Sequence, residues 1–194
     1  GLNIAAGCKD LHIAWHRYIP KRVDELAVPL LCIHGFGCGK ENWGVLPKLM
    51  ATASRREVLT FDNRGIGKSS TPPGPYTVSQ MVDDVRYVME EARVKRAAIL
   101  GISLGGMIAQ GFALQYPEHT SALILGCTTH GGREATPAST NFLRLCQSWA
   151  DAEQPNSCPA LVDEFASSCL PRGALGEPGG LKLLKQFKTS FLQV

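Results

Sequence analysis

The sequence predicts an α/β protein, a mostly parallel sheet with helices on both faces. Three observations predict it. Apolar runs of buried-strand type recur at residues 28–33, 58–61, 97–100 and 122–125. Helical stretches separate them, so strand and helix alternate four times before about Cys127. Two of the runs end in glycine-rich turns, and in open parallel sheets ligands bind outside the carboxyl ends of the strands.

The elements follow in order. Leu11, Ile13 and Trp15 alternate with His12, Ala14 and His16, which predicts a half-exposed strand ending before Pro20 with His12 and His16 on its outer face. Residues 28–33 are continuously apolar and close on His34-Gly35, as in a strand buried on both faces. A helix is expected over about 42–50, then a second buried strand at Val58-Leu59-Thr60-Phe61. Thr77 and Gln80 have capping-box spacing; Val78, Met81, Val85, Val88 and Ala92 form one apolar helical face against Asp83, Asp84, Glu90 and Glu91. A strand over 97–100, a helix over 107–116 and a strand over 122–125 complete the alternation.

Past Thr129 the character changes. Gly, Pro, Ser and Thr fill residues 131–140, followed by helix-like segments near 141–150, 159–169 and 181–192 and no strand candidate. Leu181, Leu184, Phe187 and Phe191 share a face opposite Lys182, Lys185 and Lys188, so this tail needs a surface to pack on. The expected organisation is a core over 1–130 and a helical segment over 131–194, inserted over the sheet's ligand end.

Composition narrows the function classes. The 194 residues are 44% hydrophobic and 19% charged, as in a globular chain with a sizeable core. The net charge of +3 is scattered, with no basic block to suggest nucleic acid. No apolar run approaches the roughly 20 residues of a membrane span, so a cytoplasmic protein is expected; the chain begins with Gly1, which leaves N-terminal targeting open. The seven cysteines (Cys8, Cys32, Cys38, Cys127, Cys146, Cys158, Cys169) lack Cys-x-x-Cys spacing, and Cys32 and Cys127 are expected as small core hydrophobes. No metal site or cofactor is expected, and nothing specifies an oligomeric state.

The chemistry concentrates in two turns. Gly101-Ile102-Ser103-Leu104-Gly105-Gly106 sets a serine between glycines at a strand-to-helix junction, a nucleophile elbow in which a side chain at position 101 or 105 would collide with its neighbours. His34-Gly35-Phe36-Gly37 ends an earlier strand and leaves backbone N–H groups free to face a cleft. The amides of Phe36 and Leu104 would form an oxyanion hole, the latter at a helix N-terminus, so acyl transfer through Ser103 is the implied reaction class. His34, Gly35 and His130 would line the substrate site, with His34 bonded to backbone to shape its loop. Gly67-Lys68-Ser69 copies the tail of a phosphate loop, but Asp62 stands where its first glycine belongs and Pro72-Pro73-Gly74-Pro75 follows in place of a helix. Asp62 and Arg64 are expected instead to shape this loop, as an ion pair beside the cleft.

Together His34-Gly35-Phe36-Gly37, Asp62-x-Arg64-Gly65-x-Gly67-x-Ser69 and Gly101-x-Ser103-x-Gly105-Gly106 resemble the α/β-hydrolase superfamily. Residues 103–110 are similar to the branch of 3-oxoadipate enol-lactonases, haloperoxidase-like enzymes and small carboxylesterases. The resemblance covers about residues 10–130. It implies a serine hydrolase of small esters, lactones or thioesters, with residues 131–194 the beginning of its helical cap and the core incomplete at its C-terminal side. It also implies a triad acid and histidine after later strands. Residues 131–194 contain no histidine. His119 falls about 24 Å from Ser103 along a straight helix, too far to act as base. His130 is an improvised base at best, and Glu134 has no histidine to orient. These 194 residues are therefore expected to be severely impaired in catalysis. The alternative is a catalytically inactive truncated product, or a noncatalytic binding module that retains the pocket.

Overall fold

In a computed structural model of the chain, the structure describes residues 11–151 and residues 160, 163, 164, 167, 182 and 185. Cys8, Cys158 and Cys169 lie outside the described residues, as do most of the helices expected near 159–169 and 181–192 and the apolar face of Leu181, Leu184, Phe187 and Phe191. Two compact units are distinguished, Gly1–Ala135 and Thr136–Val194.

Among the described residues the first unit contains five strands: β1 (Trp15–Tyr18), β2 (Leu30–Ile33), β3 (Val58–Phe61), β4 (Ala97–Ile102) and β5 (Thr120–Gly126). Their order in the sheet is β1-β3-β2-β4-β5. Only β1 is antiparallel, pairing with β3 from Trp15 opposite Phe61 to Tyr18 opposite Val58. The rest is parallel, with Leu31 beside Leu59 and Ile99, and Ile33 beside Gly101. The apolar runs become β2 and β3, buried at every position, because both of their faces are covered. On one face Leu31, Ile33, Leu59, Phe61 and Ile99 pack with Val82, Val85 and Val88 of α2 (Val78–Glu91) and Ile108 and Phe112 of α3 (Leu104–Gln115). On the other, Leu30, Cys32, Val58 and Ala98 pack with Trp43 and with Ala51 of α1 (Leu46–Ser54). Alternate side chains of each strand thus feed two cores.

Four expectations change. The helix over 42–50 is two elements, a 3₁₀ turn at Lys40–Trp43 and then α1, because Gly44 adopts φ 56° between them and Pro47 stands in the first turn of α1. The helix expected from Met107 begins at Leu104, directly after Ser103. Asp84, assigned to the polar face of α2, is 2% exposed. Its carboxylate accepts from Arg64 Nε and Nη2 at 2.7 Å each, a buried pair that spacing along α2 cannot reveal. Cys127 is exposed, just beyond the end of β5 at φ 44°, while Cys32 is fully buried as expected. The capping box holds, with Thr77 Oγ1 accepting from Gln80 N–H at 3.2 Å and Gln80 Oε1 from Thr77 N–H at 2.9 Å.

In the second unit, α4 (Thr140–Asp151) buries Leu145 and Trp149. No helix among the described residues is long and apolar enough to cross a membrane.

Candidate active site

Ser103 stands between β4 and α3 at φ 56°, ψ −121°, a conformation that L-residues rarely adopt. Three close approaches produce it. A Cβ on Gly101 would run into Gly105 O, and one on Gly105 into Ile33 O and, at 2.6 Å, His34 O. A Cβ on Gly106 would lie 2.5 Å from Thr128 Cβ. The first turn of α3 therefore rests directly on the ends of β2 and of β5, an approach that only glycine backbone permits.

Backbone bonds fix the serine in this turn. Ser103 N–H donates to Gly126 O at 2.9 Å, and Thr128 Oγ1 donates to Ser103 O at 2.7 Å. Gln110 Nε2 donates to Gly106 O at 3.1 Å and to Thr129 O at 3.0 Å, tying α3 to the loop after β5. Ser103 is the N-cap of α3, yet its side chain makes no capping bond. Its hydroxyl, half-buried, is thus not spent on the helix. Leu104 opens α3, so its N–H has no carbonyl one turn earlier to bond.

The His34-Gly35 turn meets the elbow. A Cβ on Gly35 would lie 3.1 Å from Ser103 Cβ and 3.6 Å from Ser103 Oγ, so the Gly35 backbone lies directly against the serine. Gly35 N–H donates to His34 Nδ1 at 2.8 Å, the loop-shaping bond expected, and the imidazole packs on Trp43 with ring centroids 4.6 Å apart. Burial lowers the His34 pKa to about 4, so this imidazole is neutral near pH 7. Phe36 follows, half-buried, in the same turn.

The other histidines are placed elsewhere. His119 Nε2 accepts from Arg86 Nη1 at 2.8 Å and its Nδ1 lies 2.6 Å from Lys95 O, within a 3₁₀ turn at Pro117–His119 after the far end of α3. His130 is exposed beyond β5, and His12 and His16 lie at β1 on the sheet's opposite edge. Among the described residues, then, the structure brings together Ser103, Leu104, Gly35 and His34, and no histidine shares a hydrogen bond with Ser103 Oγ.

Asp62 and Arg64 do not pair with each other. Asp62 accepts from Lys40 Nζ at 2.7 Å and from Lys40 N–H at 2.6 Å, whereas Arg64 is drawn to Asp84. The two side chains leave the strand end on different courses, each toward an element distant in sequence. Sequence reasoning did not find Thr128, Gln110 or Lys40. The available signal for Thr128 was its place two residues past the strand that follows the elbow helix, where a parallel neighbour must end.

The profile of a family described as alpha/beta hydrolase fold matches residues 28–188. The chain is 38% identical over 89 residues to 3-oxoadipate enol-lactonase 2 of Acinetobacter baylyi, covering 45% of this chain and 33% of that protein. It is 35% identical over 103 residues to a poly(3-hydroxyalkanoate) depolymerase of Ectopseudomonas oleovorans, covering 53% of this chain and 36% of that one. The chain thus spans about a third of the length of these curated relatives. Among solved structures it resembles the enol-lactonase of Burkholderia xenovorans, with a TM-score of 0.69 and 22% identity over 95% of this chain and 65% of that one, a likeness of fold.

Proposed function

Since the chain belongs to the alpha/beta hydrolase fold family, we propose that Ser103 is the nucleophile of a hydrolase acting on a small ester, lactone or thioester. One observation carries this reading. Ser103 is held at φ 56° with its hydroxyl free of capping duty, on a turn where Gly101 and Gly105 pack against backbone and Gly106 against the Thr128 side chain. Such a turn costs on the order of 1–3 kcal/mol of strain, a cost consistent with function.

In the reaction, Ser103 Oγ adds to the substrate carbonyl carbon and loses its proton to a base. The tetrahedral oxyanion is held by the N–H groups of Phe36 and Leu104, each such donor worth on the order of 3 kcal/mol of barrier. Collapse expels the alcohol or thiol, and water then hydrolyses the acyl-enzyme. His34 serves in its neutral form, shaping the turn and lining the site with Gly35 and His130. The base and its acid are not among these 194 residues, in which no histidine follows position 130. The division into a core over 1–130 and a helical cap segment over 131–194, and a cytoplasmic location, belong to the same reading.

The test expresses residues 1–194 with and without Ser103→Ala and measures fluorophosphonate labelling and hydrolysis of a short activated ester. Labelling that depends on Ser103, with turnover lower by on the order of 10⁶ than an intact triad gives, is expected. Robust Ser103-dependent turnover would refute the missing base. Labelling that survives Ser103→Ala would remove the serine from its role.

A further inference from the structure

The stretch from His34 to Lys40, which carries Phe36, is gripped at both ends by two consecutive residues that follow β3. At its start, Asn63 Nδ2 donates to His34 O at 3.2 Å. At its end, the Asp62 carboxylate accepts from Lys40 N–H at 2.6 Å through Oδ1 and from Lys40 Nζ at 2.7 Å through Oδ2. All three side chains are withdrawn from solvent, with Asp62 1%, Asn63 3% and Lys40 9% exposed. Glu41, exposed, is a weaker partner of Lys40 at 3.7 Å.

The anchor is itself fixed to the sheet. Asp62 N–H donates to Ala14 O at 2.9 Å and Asp62 O accepts from Ser69 Oγ at 2.6 Å. Asp62 Oδ2 also accepts from Lys68 N–H at 3.1 Å, and the loop wraps the carboxylate so closely that a Cβ on Gly67 would lie 2.6 Å from it. Within the gripped stretch, Cys38 N–H donates to Gly35 O at 3.3 Å, and Gly39 N–H to Asn42 Oδ1 at 2.7 Å. A buried ion pair adds little net stability over a packed apolar pair, because both charges lose their hydration. What it does supply is a defined position for the end of the loop that carries Phe36.

We infer that Lys40 and Asp62 are positioning residues, a buried clamp that holds the Phe36 amide where charge develops on the substrate oxygen. The inference rests on the Ser103 reading above. Displacing an oxyanion donor weakens transition-state stabilisation while leaving ground-state binding in place, so the clamp acts on the rate of bond formation at Ser103.

The test uses residues 1–194 and a fluorophosphonate probe, reading the maximal labelling rate and the half-saturating probe concentration separately. Lys40→Met is expected to lower the maximal rate about ten- to a hundredfold with little change in half-saturation, and Lys40→Arg to recover most of it. Hydrogen exchange should quicken at residues 36–39 in Lys40→Met while Leu31 and Ile99 keep wild-type protection. The double variant K40M/D62N leaves no buried charge unpaired and shows the same direction of loss if K40M alone folds poorly. An unchanged labelling rate in K40M and K40M/D62N, or exchange that quickens equally throughout the sheet, would overturn the clamp alone. Measurable wild-type labelling that persists at the same rate in Ser103→Ala would overturn the Ser103 reading, and the clamp with it.

Discussion

Ser103 and His34 each carry a measurable cost of being placed where they are. At φ 56° a glycine is at ease and an L-residue is not, so Ser103→Gly should be more stable than Ser103→Ala by about 1 kcal/mol although both lack the hydroxyl. Urea midpoints of the two variants check this, and equal midpoints would show that the turn stores no strain. His34 titrates near 6.5 in the unfolded chain and near 4 in the folded one. Between these values the unfolded state binds the extra proton, so this contribution is fully present above pH 6.5 and is lost as pH falls toward 4. The loss is at most about 3 kcal/mol. His34→Asn, whose Oδ1 can still accept from Gly35 N–H, should remove that slope from the pH dependence of unfolding. A variant with the wild-type slope would assign it to other groups.

At the scale of elements, the contact of α3 with the end of β2 depends on Gly105 meeting backbone, and that with the residues after β5 on Gly106 meeting the Thr128 side chain. Gly105→Ala forces a methyl against Ile33 O and His34 O and is expected to cost about 3 kcal/mol. Gly44→Ala, at a φ of +56° that the helical Gly105 does not share but with open space around it, should cost only about 1 kcal/mol from backbone strain. Chemical unfolding of the pair separates crowding from conformation, and similar losses would mean that the close approach relaxes freely. The helices themselves show which of their features are local. The Thr77–Gln80 box could be read from spacing because both partners lie within one turn, while the burial of Asp84 could not, since its partner Arg64 lies 20 residues away in the loop after β3.

The sheet as a whole has two unlike edges. β1 is short and carries His16 and Arg17, which suit a solvated edge. β5 has seven residues, none charged, and leaves Leu123, Ile124 and Leu125 between 39% and 46% exposed. Expressed as residues 1–194, the protein should self-associate through this edge, and Ile124→Lys should shift its mass in light scattering toward the monomer. A concentration-independent monomer in both forms would show that the edge is not adhesive.

Strand runs, helix caps and the two glycine turns were legible because each is written in a few consecutive residues whose periodicity or small size has one physical use. Gly101 and Gly105 announced a close approach before their neighbours were known, and His34 announced a loop-shaping bond to the next residue. The antiparallel placement of β1 beside β3, the division of Asp62 and Arg64 between Lys40 and Asp84, and the exposure of Cys127 were not legible. Those are relations between segments far apart in the chain, and charge pairing in a buried setting is chosen by whichever partner the packed sheet delivers. The sequence therefore specified the elements and the glycine turn that carries Ser103, whereas folding in three dimensions chose the neighbours that hold Ser103 and the His34–Lys40 stretch in place.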